Sequence, residues 1–88
     1  MYYVYIIQSK KDGRLYKGFT SDLENRLKEH KEGKTKSTKS FRPWKLVYYE
    51  VFVDKKDALR EELFLKSGKG KSTLKEKLKN YMERYPRG

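Results

Sequence analysis

Residues 2–8, YYVYIIQ, are apolar at nearly every position and dominated by aromatic and β-branched side chains. A strand with one wet face alternates in polarity. One that does not alternate is covered on both faces, which requires a sheet flanked by helices. Lys10-Lys11-Asp12-Gly13 carries the Asp-Gly hairpin signal, so Arg14–Phe19 reads as the returning strand.

Ser21 to about Glu32 reads as a helix, opened by a Ser21…Glu24 capping box and stopped by Gly33. Residues 34–43 lack periodicity and form a loop. Leu46–Val53 is the third strand, and Asp54 caps a helix that runs to about Ser67 and ends in Gly68. A second capping box, Thr73…Glu76, opens a last helix with the stripe Leu74, Leu78, Tyr81, Met82 and Tyr85. The order β-β-α-β-α-α makes residues 1–88 a single domain of the α/β class. Its small three-stranded, mainly antiparallel sheet is flanked by three helices.

Three places break the pattern. Opposed residues of a hairpin share a face, and any even-length loop puts Tyr5, Tyr16 and Gly18 on the same one. With the four-residue turn, Tyr5 faces Gly18 and Ile7 faces Tyr16. Gly18 then leaves a gap beside two tyrosines, and interior strand glycines often mark a close approach by a ligand. Lys17 points to the other face. In the first helix Arg26 interrupts the stripe Leu23, Leu27, His30, either snorkelling out along its stem or held at the sheet rim toward an anion. In the next helix Ala58, Leu59, Leu63 and Leu65 define the apolar side, with Glu62 at its border and Glu61 toward solvent. A carboxylate there needs a salt bridge, such as one to Arg26, or a Mg²⁺ ion bound through a single carboxylate. Gly70-Lys71-Ser72 mimics the end of a phosphate-binding loop, but the first glycine of that pattern falls on Leu65 inside a helix. A basic turn after a helix stop accounts for it better.

Composition narrows the function. Lys+Arg number 23 against 12 Asp+Glu, a formal charge of +11. Charge-rich thermophile surfaces balance their signs and this one does not, so nucleic acid is the expected partner. With no cysteine and a single histidine, disulfides and thiolate or His-rich metal sites are excluded. No apolar run approaches the ~20 residues of a membrane span, and the N-terminus lacks signal-peptide order, so no membrane partner and a cytoplasmic location are expected.

Together these residues resemble the GIY-YIG nuclease superfamily, above all its small stand-alone members, akin to the N-terminal domain of the excision-repair nuclease subunit. Tyr3-Val4-Tyr5 stands at Gly-Ile-Tyr and Tyr16-Lys17-Gly18 at Tyr-Ile-Gly. The run from Asp22 to His30 matches the family's helix. Pro43–Tyr48 and Ala58–Gly68 match later blocks, and the likeness covers about residues 2–76. Tyr3 replaces the first motif glycine, Lys17 the central isoleucine, and Glu61 an often basic position.

The resemblance implies a metal-dependent endonuclease, acting on DNA more than RNA, in repair or recombination. It implies one Mg²⁺ or Mn²⁺ ion on Glu62, with Arg26 neutralising phosphate charge and Tyr5 or Tyr16 helping to deprotonate water. His30 would be a supporting base or phosphate contact. A cation would have to lower the phenol pKa. Lys34, Lys36, Lys39, Arg42, Lys69 and Lys71 would hold the nucleic-acid backbone, and a protein partner could supply specificity. The alternative is a basic DNA- or RNA-binding module that keeps the fold without catalysis.

Overall fold

A computed structural model describes residues 1–85. Three strands, β1 (Tyr2–Ser9), β2 (Leu15–Thr20) and β3 (Trp44–Phe52), form an antiparallel sheet in the order β2-β1-β3. The apolar run at residues 2–8 is therefore the central strand, and Val4 through Ser9 are buried.

Even-numbered β1 residues Val4 and Ile6 pack with Ala58, Leu65, Leu74 and Leu78, from helices α2 (Lys55–Lys66) and α3 (Gly68–Lys77) and the residue that ends α3. Odd-numbered residues face the layer built by helix α1 (Leu23–Glu32) and the segment that follows it, which contains a 3₁₀ turn at Lys39–Phe41. The β1–β3 register slips between Ile6 and Ile7, where Ile6 pairs with Tyr48 and Ile7 with Leu46. One-residue slips exchange faces. Trp44 and Leu46 consequently share the α1 side with Ser9 and Ile7, while Tyr48 packs against the α2–α3 core.

The helix boundaries correct three expectations. Asp22, not Ser21, caps α1: its side chain accepts from the Asn25 amide, and Gly33 closes the helix in the left-handed conformation at φ 75°. Asp54 caps α2 as expected. The next helix, however, begins at Gly68 rather than Thr73. Ser67 makes this possible by serving both helices. Its hydroxyl donates to the Phe64 carbonyl at 2.6 Å and accepts from the Gly70 amide at 3.1 Å. The basic Gly-Lys-Gly-Lys run is thus helical. Leu78, at φ −103° and ψ 18°, separates α3 from the short α4 (Lys79–Arg84), so the single last helix of the sequence reading is two.

Gly70 permits that tight junction, since a methyl there would stand 2.7 Å from the Leu65 Cα and clash with the Phe64 carbonyl. Both are backbone atoms that cannot give way. Gly70→Ala is expected to cost ~1–3 kcal/mol, read as a lowered urea midpoint with unchanged m-value. Among the described residues no helix is long and apolar enough to cross a membrane.

Candidate active site

The hairpin brings the first components together. Ser9 and Arg14 close a four-residue turn, and the register pairs Tyr5 with Gly18 and Ile7 with Tyr16. Tyr5 is fully buried, its ring centroid 6.5 Å from that of Tyr16. Its ring lies across Gly18: a Cβ on that glycine would come within 2.7 Å of the Tyr5 Cε1. The gap beside the tyrosines is therefore filled by Tyr5 itself.

From α1 come Arg26 and His30, one turn apart. His30 is the only residue of that helix buried outright, with Leu23 and Leu27 half-exposed. Its Nε2 lies 2.7 Å from the Tyr5 hydroxyl and its Nδ1 2.7 Å from the Thr38 Oγ1. The Thr38 hydroxyl donates to the Thr35 carbonyl at 3.4 Å, which leaves its oxygen to accept from His30 Nδ1–H. The Nε2 lone pair then accepts from Tyr5. Burial first, and the Arg26 charge second, hold the His30 pKa below the ordinary imidazole value, so the ring is neutral at pH 7 and suits this acceptor role.

Arg26 alone does not lower the Tyr5 pKa. Burial pushes the phenol up to about 12, against the downward pull of the Arg26 hydrogen bond and charge; Tyr16 and Glu62 push it further up. Desolvation of an anion outweighs one neighbouring cation here. The site compensates by giving the Tyr5 proton somewhere to go.

Arg26 stands against the Tyr5 hydroxyl, which with Glu29 raises the guanidinium pKa. Its Nη1 pairs with Glu29 at 3.0 Å, while its Nε is buried with no hydrogen-bond partner. Arg26 therefore makes neither the free snorkel nor the ion pair with Glu62 raised by the sequence. Glu62 pairs instead with Lys66, one turn on, at 3.3 Å.

The buried side of α2 also differs from expectation. Leu63 is 70% exposed and Leu59 is exposed, whereas Ala58, Glu61, Glu62 and Leu65 share the inward stripe at helical spacing. Glu61 is half-buried and stands against Glu50 of β3, whose carboxylate raises its pKa. Glu62 is the acid whose charge reaches Tyr5.

Among the described residues no group of three or more His, Cys, Asp or Glu could hold a metal alone. Glu62 nevertheless fits a hard divalent cation of the Mg²⁺ or Mn²⁺ kind, which is commonly bound by one or two carboxylates plus waters and substrate phosphates. Its side chain is 18% exposed, and its present partner is a flexible, half-exposed lysine.

The basic side chains do not form one patch. Lys34, Lys36, Lys39 and Arg42 are exposed on the segment after α1, with Lys34 paired to Glu32 at 3.2 Å and Arg42 bonded to the Lys39 carbonyl at 3.0 Å. Lys69 and Lys71 lie in the first turns of α3, and Lys71 lines a separate groove with Lys17. Two residues of the site escaped the sequence reading. Thr38 is fully buried and fixes the histidine, and Trp44 meets Tyr16 edge-on at 6.3 Å while donating from Nε1 to the Thr38 carbonyl at 2.9 Å.

A tyrosine pair across a glycine, with arginine and histidine one helical turn apart, is the arrangement the resemblance implied. Residues 1–79 match the family model described as the GIY-YIG catalytic domain. The chain belongs to the GIY-YIG family. Among its relatives, the UPF0213 protein of Staphylococcus saprophyticus is 41% identical over 75 residues, 84% of this chain and 90% of that protein. The UPF0213 protein of Clostridium perfringens is 45% identical over 67 residues, 75% of this chain and 71% of that protein. The solution structure of the UPF0213 protein BH0048 from Bacillus halodurans, 38% identical, superimposes with a TM-score of 0.52 over 84% of this chain and 82% of that one. The α/β architecture and its small antiparallel sheet are thus those of a small GIY-YIG domain, a nuclease family. In this GIY-YIG domain the motif residues Tyr5 and Tyr16 sit on adjacent strands, each ring edge-on to His30 at 5.7 and 5.3 Å.

Proposed function

We propose that this protein is a divalent-metal-dependent endonuclease that hydrolyses nucleic-acid phosphodiester bonds, DNA in preference to RNA. The observation that carries the reading is Arg26, whose guanidinium stands against the Tyr5 hydroxyl while its buried Nε has no hydrogen-bond partner. A buried donor left unpaired costs about 1–3 kcal/mol, and an anion such as a phosphate is the partner a guanidinium of this kind suits.

The proton path follows from the hydrogen bonds. Tyr5 is fully buried, so the substrate must open a way to its hydroxyl. Water attacking phosphorus then gives its proton to the Tyr5 oxygen as the Tyr5 proton passes to His30 Nε2. The phenol never has to exist as a free phenolate, so its high pKa is no obstacle. Thr38 keeps the Nδ1 proton in place and the imidazolium forms beside Glu29, whose charge favours it. Arg26 neutralises charge developing on the non-bridging oxygens. A Mg²⁺ or Mn²⁺ ion on Glu62, when bound, supplies polarisation of the phosphate and stabilisation of the leaving oxygen. Of the two tyrosines, Tyr5 is supported as the proton carrier and Tyr16, in edge contact with His30 and Trp44, as the residue that orients it.

Supercoiled plasmid incubated with the protein and Mg²⁺ or Mn²⁺ is expected to be nicked. Chelator and Glu62→Ala should each remove the activity, while Glu61→Ala should retain it. Nicking that survives both treatments would overturn the metal assignment. Salt-sensitive binding without nicking would favour the non-catalytic binding module.

A further inference from the structure

Because β2 alternates, Lys17 emerges on the face opposite Tyr16 and Gly18, beside its β1 partner Ile6 and over the α2–α3 layer. A groove of about 730 Å³ opens there. Arg14, Lys17, Lys71 and Lys75 line it, together with Leu74 and Leu78 and no acidic residue. Arg14 is bound to Asp12 at 2.7 Å and stacked on Phe41. Among the ion pairs of the described residues, none involves Lys17, Lys71 or Lys75. Three cations thus converge without counter-charge, although the protein carries 12 acidic residues that could have been placed among them.

The groove is not isolated. Burial first, then the charges of Lys71 and of Lys66, depress the Lys17 ammonium pKa, so Lys66, which holds Glu62 at 3.3 Å, stands near Lys17. Basic side chains therefore run from the candidate metal carboxylate on α2, through Lys66 and Lys17, into the groove on the same face of the sheet. A lone anion would need one such cation cluster; a continuous line of them leading away from the cleavage site suits a polymer with a charge on every unit.

We propose that Lys17, Lys71 and Lys75 form a second phosphate-binding surface, on the opposite face of β2 from the tyrosines, that holds nucleic-acid backbone away from the scissile phosphate. The proposal rests on nucleic acid being the substrate but not on the cleavage chemistry. The substrate straddles the edge of β2, with the reacting phosphate on one side and flanking phosphates on the other. Sequence is not read there, because lysines on phosphates position without discriminating bases.

The test is binding of a labelled DNA duplex, and in a parallel arm an RNA duplex, followed by fluorescence anisotropy across a salt series in chelator. The triple variant Lys17→Gln, Lys71→Gln, Lys75→Gln is compared with an equal-charge control, Lys28→Gln, Lys55→Gln, Lys56→Gln. In the groove variant the slope of log K against log salt should shrink by roughly 3, about one per phosphate contact, with affinity at least ~10-fold weaker. The control should change far less. Thermal melting should show the groove variant no less stable than wild type, since the change relieves like-charge crowding. An equal slope loss in both variants, or none in the groove variant, would overturn the proposal. If wild type binds with the expected slope but does not nick, the cleavage reading fails while this one stands. A groove variant that loses nicking yet keeps its binding slope would overturn this one alone.

Discussion

Gly18→Val is expected to reduce plasmid nicking to the level of Glu62→Ala while most of the protein remains folded. The Tyr5 ring occupies the space a side chain at position 18 would need, with Cε1 within 2.7 Å of the ideal Cβ position. That ring is fully buried and abuts His30 on the α1 side. It cannot sink further and must swing outward. The swing breaks the 2.7 Å bond to His30 Nε2 and removes the hydroxyl from Arg26, so proton transfer and phosphate placement fail together. The stability cost is smaller than the activity cost. Overpacking takes ~1–3 kcal/mol, and valine returns up to ~1 kcal/mol of the strand preference that glycine lacks. Domains of this kind have a margin of about 5–15 kcal/mol. Circular dichroism melting and nicking rates measured on one preparation separate the two effects. Should Gly18→Val prove too unstable to assay, adding Tyr5→Leu should restore folding without restoring nicking, because the three atoms nearest the new Cβ all belong to the Tyr5 side chain. A folded Gly18→Val variant that nicks at the wild-type rate would reduce the glycine to a packing detail.

The juxtaposition of Tyr5, Tyr16 and Gly18 was readable because strand parity is a discrete property: an even loop fixes the shared face whatever the turn geometry. Arg26 and His30 were readable for the same kind of reason, since four residues along a helix return to one side. What failed was whatever depended on a competition between similar side chains. Ser21 and Asp22 can both cap, and only the conformation of Asp22, with its bond to the Asn25 amide, decides between them. Leu63 and Glu62 compete for the inward side of α2. Hydropathy favours leucine, but a carboxylate paired to Lys66 can occupy a half-buried position while Leu63 stays exposed. Thr38 was not distinguishable from Thr35, Ser37 or Ser40 in a loop without period. It is chosen by distance to His30, a contact between residues brought together only when the loop folds back beneath Trp44. The Lys17 groove lay hidden for a related reason, because the four residues that charge it come from β2, the turn before it and α3.

The pH dependence of cleavage distinguishes the His30 relay from a free tyrosinate. If Tyr5 had to ionise first, activity would climb with pH toward the value of about 12 to which burial raises the phenol. With neutral His30 as the final acceptor, the rate should instead rise on an acidic limb below 6.5, the side to which burial and Arg26 displace the imidazole, and stay level across neutral pH. His30→Ala should cost about 10²–10⁴-fold and erase that limb. Thr38→Val keeps the shape of the side chain but removes the acceptor of Nδ1–H. The ring is then free to carry its proton on Nε2, where it can no longer accept from Tyr5, and the rate should fall about 10-fold, with Thr38→Ser recovering most of it. Stability provides an independent reading with a defined sign. A histidine whose pKa is lowered by folding binds fewer protons in the native than in the unfolded state over the window from its native value up to 6.5. Unfolding free energy should therefore fall as the pH drops through that window, and His30→Ala should flatten the fall. A limb that persists in His30→Ala, or a rate still rising above pH 9 in wild type, would remove His30 from the proton path and return the role of base to the tyrosines.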